Sequence, residues 1–242
     1  ADTVDLKKVI EWVILAADAS YRAGVCCTKR KRVKKAIKNF TGAAELWKKL
    51  LKDFSDHLDE DRKIHSLEKL GDTLHSMIAN HGDFLDTRES IRFHAGVFDA
   101  YRQLVYDFAD KVERRRIQEW LEKLLTSGKQ AASDYLRLGE LDIAARYIDA
   151  LRDARERFSE AYGVSPDIQG EIDLYESLGG ALCSLAEEYK LECEYDKSRE
   201  LFMKTLGIYQ ELLEEYSEYV DAEREIDWLD IEADLIGALA EC

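Results

Sequence analysis

The sequence has a single proline and thirteen glycines in 242 residues. So few turn-forming residues exclude a loop-rich or all-β architecture, whose many chain reversals depend on them. No apolar run approaches the roughly 20 residues that span a bilayer. Ala1 to Lys8 carries no apolar stretch behind basic residues, so no secretory leader is expected there. The five cysteines form no Cys-x-x-Cys pair and follow no regular spacing, which excludes a disulfide framework and points to a reducing, cytoplasmic compartment. The adjacent Cys26 and Cys27 read as buried structural residues. Cys183 and Cys193 stand ten positions apart on one expected helix, about 15 Å, too far to bridge. Five histidines (His57, His65, His75, His81 and His94) include no i,i+4 pair and no Glu-x-x-His. The ligand set of a carboxylate-bridged metal pair is therefore lacking, no metal or cofactor is expected, and these histidines read as capping or surface residues. With no phosphate-binding glycine loop and no nucleophile elbow either, the sequence does not read as an enzyme.

What the sequence does have is charge, 35% of residues with a net of -15. Residues 1–120 hold 23 Lys and Arg against 20 Asp and Glu, whereas residues 121–242 hold 12 against 30. From Thr205 to Cys242 there are twelve acids and one base, Arg224. An asymmetry of this kind suggests either two different partners or contact between unlike ends of neighbouring molecules, giving a salt-dependent homo-oligomer.

Apolar residues recur at helical spacing nearly everywhere, as in Val33, Ile37, Phe40, Ala44, Trp47 and Leu51. Gly82 suits a left-handed helix end, Asp86-Thr87-Arg88-Glu89 has the form of a capping box, Gly139 and Gly163 end periodic runs, and Ser165-Pro166 reads as a cap followed by a first-turn proline. The expectation is an all-α chain of about nine long antiparallel helices, at roughly 4–25, 29–54, 59–81, 87–110, 112–138, 141–162, 166–192, 195–218 and 221–241. Short links make neighbouring helices antiparallel hairpins. No linker divides the chain, so residues 1–242 are expected to form a single helical array, near-neutral over 1–110 and acidic over 111–242.

Within the acidic half, Leu182, Leu185, Ala186 and Tyr189 are followed by Tyr195, Ser198, Phe202, Thr205, Leu206 and Ile208. Small residues (Ala186, Ser198, Thr205) let two helices approach while large ones fill between them. This resembles a tetratricopeptide repeat, with Cys193 where that family prefers glycine before the turn and Ser198 where it prefers alanine. Tyr135, Gly139, Leu141, Ala144, Ile148 and Leu151 are similar in turn, although Gly128 falls where a large residue is expected. The interval from Tyr135 to Tyr189 is well beyond the period of a standard repeat, roughly 34, so the helices must be longer. Leu67, Leu70 and Gly71 hint at a further copy. The resemblance covers residues 128–218 and implies a solenoid whose groove is lined by the first helix of each hairpin: here Lys129, Ser133, Leu136 and Arg137, then Cys183, Glu187, Lys190 and Leu191. The carboxylate clamp of some family members is not expected, because Ser133 and Glu187 replace its asparagines.

Two other features point to partners. Lys29, Arg30, Lys31, Arg32, Lys34, Lys35 and Lys38 put seven cations in ten residues, with no acid between Arg22 and Glu45. Placed at the start of a helix over 29–54, they would meet an already positive dipole and suit an anion. The final helix carries two apolar stripes, Ile226, Leu229, Ala233, Ile236, Ala240 and Trp228, Ile231, Leu235, Leu239, so it must be buried on two sides or be covered by a partner. The expected function is a protein–protein interaction scaffold or adaptor holding a peptide or helix in a tetratricopeptide-like groove. The alternative is a regulatory or sensor module binding an anionic ligand, a phosphopeptide or nucleic acid, through residues 29–38. Nucleic acid is the weaker option, since the chain is acidic overall and no aromatic residues interleave with the bases.

Overall fold

Four helix starts in this protein are held by carboxylates. Asp5, Asp59 and Asp221 each hold a first-turn amide, from Lys7, Arg62 and Arg224 at 3.1, 2.8 and 3.0 Å, satisfying donors that a helix leaves open at its N-terminus. Asp86 does the same for Glu89 at 2.8 Å, and the Glu89 carboxylate returns to the Asp86 amide, completing the expected capping box. The computed structural model describes residues 5–162 and 168–241. Among these residues there is no strand, and nine helices account for most of the chain: α1 (Leu6–Lys29), α2 (Val33–Asp53), α3 (Glu60–His81), α4 (Thr87–Phe108), α5 (Arg114–Arg137), α6 (Leu141–Ala154), α7 (Ile168–Leu191), α8 (Tyr195–Tyr216) and α9 (Ala222–Glu241). The expected Ser165-Pro166 start and Gly163 stop lie outside the described residues.

The helices recur on one lattice. The first helix of each hairpin begins at 6, 60, 114, 168 and 222, and the second at 33, 87, 141 and 195, so both series advance by the same unvarying period. The fold is thus a helical-hairpin repeat, four hairpins followed by one further first helix. Three of the four hairpin turns repeat too. Lys31, Gly139 and Cys193 occupy the same lattice position and share a left-handed backbone, with φ of 56°, 74° and 60°. Each turn closes with an amide reaching back past the ordinary helical partner, Arg32 to Cys27, Glu140 to Tyr135 and Glu194 to Tyr189, at 2.9, 3.0 and 2.9 Å, which satisfies one of the last carbonyls of the helix.

Several expectations are corrected. Gly82 is right-handed, with φ of -51°: α3 tightens into a 3-10 turn over Gly82–Phe84 before the Asp86 cap, and no left-handed residue is needed. The α2 helix starts at Val33 and not at 29, because the left-handed turn at Lys31 separates it from α1. Helix α6 does not run uniformly to 162; a wider π-type stretch occupies Arg155–Ser159 before a last turn to Tyr162. Arg155 stands at the lattice position that Trp47, Tyr101 and Tyr209 fill elsewhere, and its guanidinium reaches Glu171 at 3.1 Å and lies 5.1 Å from the Tyr216 ring centre. Burial raises the Glu171 carboxyl above its ordinary range, outweighing the opposing pull of Arg155 and of the Tyr216 hydroxyl. Cys26 is exposed and Cys27 half-buried, so the pair is not a buried one. His81 is buried instead of lying at the surface, its Nε2 2.8 Å from the Thr28 hydroxyl, and burial lowers its pKa.

The described chain divides into two compact units. The first takes residues up to Gly128 with Ala161 and Tyr162, and the second takes Lys129–Glu160 and the residues from Ile168 onward. In the first unit α1 packs on α2, α2 on α3 and α3 on α4, around Phe40, Trp47, Leu74, Met77, Tyr101 and Leu104. In the second, α6 packs on α7, α7 on α8 and α8 on α9, around Ile148, Ile172, Tyr175, Leu212, Tyr216 and Trp228. Both units use the same device for close approach. A Cβ on Gly71 would meet the Tyr101 ring at 2.6 Å, and one on Gly179 would meet the Tyr209 ring at 2.9 Å, so in these two hairpins a glycine of the first helix admits a tyrosine of the second.

Candidate functional site

The second unit contains a groove of about 570 Å³ between the C-terminal half of α7, Phe202 of α8 and α9. From α7 come Glu187, Lys190 and Leu191, and from α9 come Ala233, Asp234, Gly237 and Ala238. Helix α9 presents small residues along this wall. At the lattice positions of Ala233, Gly237 and Ala238, helix α5 carries Leu125, Lys129 and Gln130. A Cβ added to Gly237 would meet nothing within 4 Å. Phe202, 2% exposed, forms an apolar floor, while Leu191 at the mouth is 85% exposed. Acidic and basic heads, Glu187 and Asp234 with Lys190, stand around this apolar strip, so the site offers an apolar contact and polar groups of both signs.

Three of the eight groove residues predicted from the sequence, Glu187, Lys190 and Leu191, line this groove. Cys183 lies one turn earlier on α7, half-buried, with its thiol pKa raised by burial and secondarily by Glu187. The other four, Lys129, Ser133, Leu136 and Arg137, stand on α5, one lattice period before Cys183, Glu187, Lys190 and Leu191. They do not enter the groove. Arg137 pairs along its own helix with Asp134 at 3.3 Å. Phe202 and the α9 residues were not assigned to a groove from the sequence, although the run of Ala233, Gly237 and Ala238 was the available signal: small residues on a helix that elsewhere carries large ones.

The seven bases of 29–38 are all exposed. They straddle the first hairpin turn instead of opening one helix. Lys29 ends α1 and Arg30 follows it, where cations favour the helix dipole, whereas Lys34, Lys35 and Lys38 belong to α2, whose Arg32 cap has no side-chain hydrogen bond.

The apolar stripes of α9 have separate fates. Trp228 and Leu235 are buried, 1% and 3% exposed, while Ile226, Leu229 and Ile236 are 55%, 49% and 53% exposed. Trp228 is fixed by a clamp. Arg224 donates from Nε and Nη2 to the two carboxylate oxygens of Glu176, both at 2.7 Å, and the Trp228 indole donates to Glu176 Oε1 at 2.7 Å. The first unit holds the same clamp two lattice periods earlier: Arg116 donates twice to Glu68 at 2.7 Å and Trp120 donates to it at 2.8 Å. A bidentate guanidinium–carboxylate pair with a third donor fixes distance and angle together. No described helix is long and apolar enough to cross a membrane.

No protein-family model matches this chain, and no curated protein sequence matches it. Among solved structures it is similar to a circular tandem repeat protein with novel repeat topology, at 16% identity and a TM-score of 0.41 over 98% of this chain and 54% of that one. This chain therefore spans about half the length of that protein. BtubC (BKLC) from P. vanneervenii matches at 13% identity and a TM-score of 0.31, covering 98% of this chain and 85% of that one. A protein from the computational design of self-assembling cyclic homooligomers matches at 12% and 0.32, covering 97% and 96%. These values identify neither a family nor an activity.

Proposed function

We propose that this protein is a cytoplasmic interaction scaffold that works by binding and not by chemistry, holding a peptide or a partner helix in the groove between α7, α8 and α9 in the manner of a tetratricopeptide-like array. The observation that carries this reading is the groove itself: a Phe202 floor and an open strip of Ala233, Gly237 and Ala238 beside Glu187, Lys190 and Asp234. Such a channel suits an amphipathic segment, whose apolar side chains seek the strip while its polar groups meet the rim. A second reading, recognition of an anionic ligand, a phosphopeptide or nucleic acid, is favoured by the seven exposed bases at the first hairpin turn.

One experiment separates the two. Peptides are selected from a displayed random library on the full chain, and their affinities are measured against two variants. Gly237→Leu fills the groove at an open position and replaces a helical glycine, which raises helix propensity by up to about 1 kcal/mol, so lost binding cannot be laid to unfolding. Under the groove reading it weakens binding at least about tenfold, whereas Lys31→Gln, Lys34→Gln and Lys35→Gln together leave it unchanged. The reverse pattern supports the anionic reading and overturns the groove.

A further inference from the structure

The common lattice gives each face of a first helix a standard assignment, and α1 and α9 each show one of those faces exposed. On α5 the row Trp120, Leu124 and Ser127 is buried at 2%, 0% and 5% exposed, and on α3 the matching row Ser66, Leu70, Thr73 and Met77 is buried as well. This is the face turned to the preceding hairpin. On α1 the same row is Trp12, Ala16, Ala19 and Ala23, and every member is exposed, Trp12 at 65%. On α9 a different face is open, the one that the second helix of the same hairpin covers elsewhere. Its row Ile226, Leu229, Ala233, Ile236 and Ala240 is exposed, although the matching rows Ile64, Leu67, Gly71 and Leu74 of α3 and Ile172, Tyr175, Gly179 and Leu182 of α7 are buried. There the glycines receive the tyrosine of the hairpin's own second helix.

The polar groups of the clamp are present at both open faces. Lys8 and Trp12 occupy the lattice positions of Arg116 with Trp120 and of Arg224 with Trp228; Asp230 occupies that of Glu68 and Glu176. Lys8 is exposed and, among the described residues, pairs weakly with the solvated Asp5 at 3.8 Å, and Asp230 is exposed. Charge agrees with this match. Residues 5–53 carry thirteen Lys and Arg against five Asp and Glu, whereas α9 carries seven acids and one base.

We propose that copies of this chain associate head to tail, the Trp12–Ala23 row of α1 in one copy covering the Ile226–Ala240 row of α9 in the next, with Lys8 and Trp12 both donating to Asp230. The contact joins two different surfaces, so it forms rings or filaments and not a closed two-fold dimer. It stands apart from the groove reading, because the row lies beside the groove and shares only Ala233 with it. The small alanines on α1 let two helix backbones approach, and the apolar rows leave water together.

The test is sedimentation velocity of the full chain over a range of concentrations at low and at moderate salt, together with two exposed charge reversals, Lys8→Glu and Asp230→Lys. The expected result is concentration-dependent assembly that weakens at least tenfold with added salt and at least tenfold in each single variant. An equimolar mixture of the two variants regains assembly, since each then supplies the partner the other lacks. Circular dichroism of each variant, expected to match the parent, keeps loss of assembly separate from loss of fold. A chain that stays monomeric at low salt and high concentration overturns the proposal. So does assembly that both reversals leave intact, or assembly that only Gly237→Leu removes.

Discussion

At Cys193 the backbone is left-handed, with φ of 60°, in a turn that its lattice mate Gly139 makes at 74° without a side chain. A Cβ in this conformation costs roughly 1–2 kcal/mol, because it crowds the neighbouring carbonyl; part of that is offset by the greater freedom glycine has in the unfolded chain. Cys193→Gly is therefore expected to stabilise the protein by about 1 kcal/mol, read as a higher denaturant midpoint with an unchanged slope. Cys193→Ala, which keeps the Cβ and removes the thiol, should leave the midpoint near the parent value and so assign the gain to backbone geometry. This residue was open to reading from sequence, because cysteine stands where glycine is preferred. Lys31 was not: it makes the same turn from inside a run of bases whose charge dominates any reading of the segment.

Between elements, the recurring unit is the carboxylate clamp. Glu176 ties α7 to α9 through Arg224 and Trp228, and Glu68 ties α3 to α5 through Arg116 and Trp120. Between them on the lattice lies Glu122, whose counterparts at the donor positions are Gly170 and Leu174, neither with a side-chain donor. Glu176→Ala removes the acceptor from a guanidinium and an indole. With the Glu176 and Arg224 side chains 30% and 27% exposed, solvent recovers part of the loss, and the cost is expected to be about 1–2 kcal/mol. Glu122→Ala, on an exposed position, should cost no more than about 0.5 kcal/mol. Thermal melts of the two variants check the contrast. Helix number, order and most boundaries were legible in the sequence, because apolar periodicity and carboxylate caps are local signals. The full lattice was not. The residues in one column differ in identity while sharing a role, as in Ser66, Trp120, Leu174 and Trp228, which are all buried, and the clamps recur only at every second hairpin. The groove was legible on its α7 wall, where Glu187, Lys190 and Leu191 belong to the best-matched hairpin. It was not legible on α9, whose two apolar stripes gave no indication of which one is covered.

For the whole molecule, the account rests on modularity: hairpins of one length whose faces mate with their neighbours by position on a common lattice, so that binding surfaces arise wherever a face is left open. Proteins built this way depend mainly on contacts between adjacent repeats and tolerate removal of whole repeating blocks. The block defined by the clamps runs from one donor helix to the next equivalent one, 114 to 221, and its removal joins Glu113 directly to Ala222. Glu68 then meets Arg224 and Trp228 in place of Arg116 and Trp120. The decisive measurement is the thermal unfolding of this shortened chain, followed by far-ultraviolet circular dichroism. The account predicts helical content per residue equal to that of the parent and a single cooperative transition. A shortened chain that has lost its helices, or that melts without cooperativity, would contradict it.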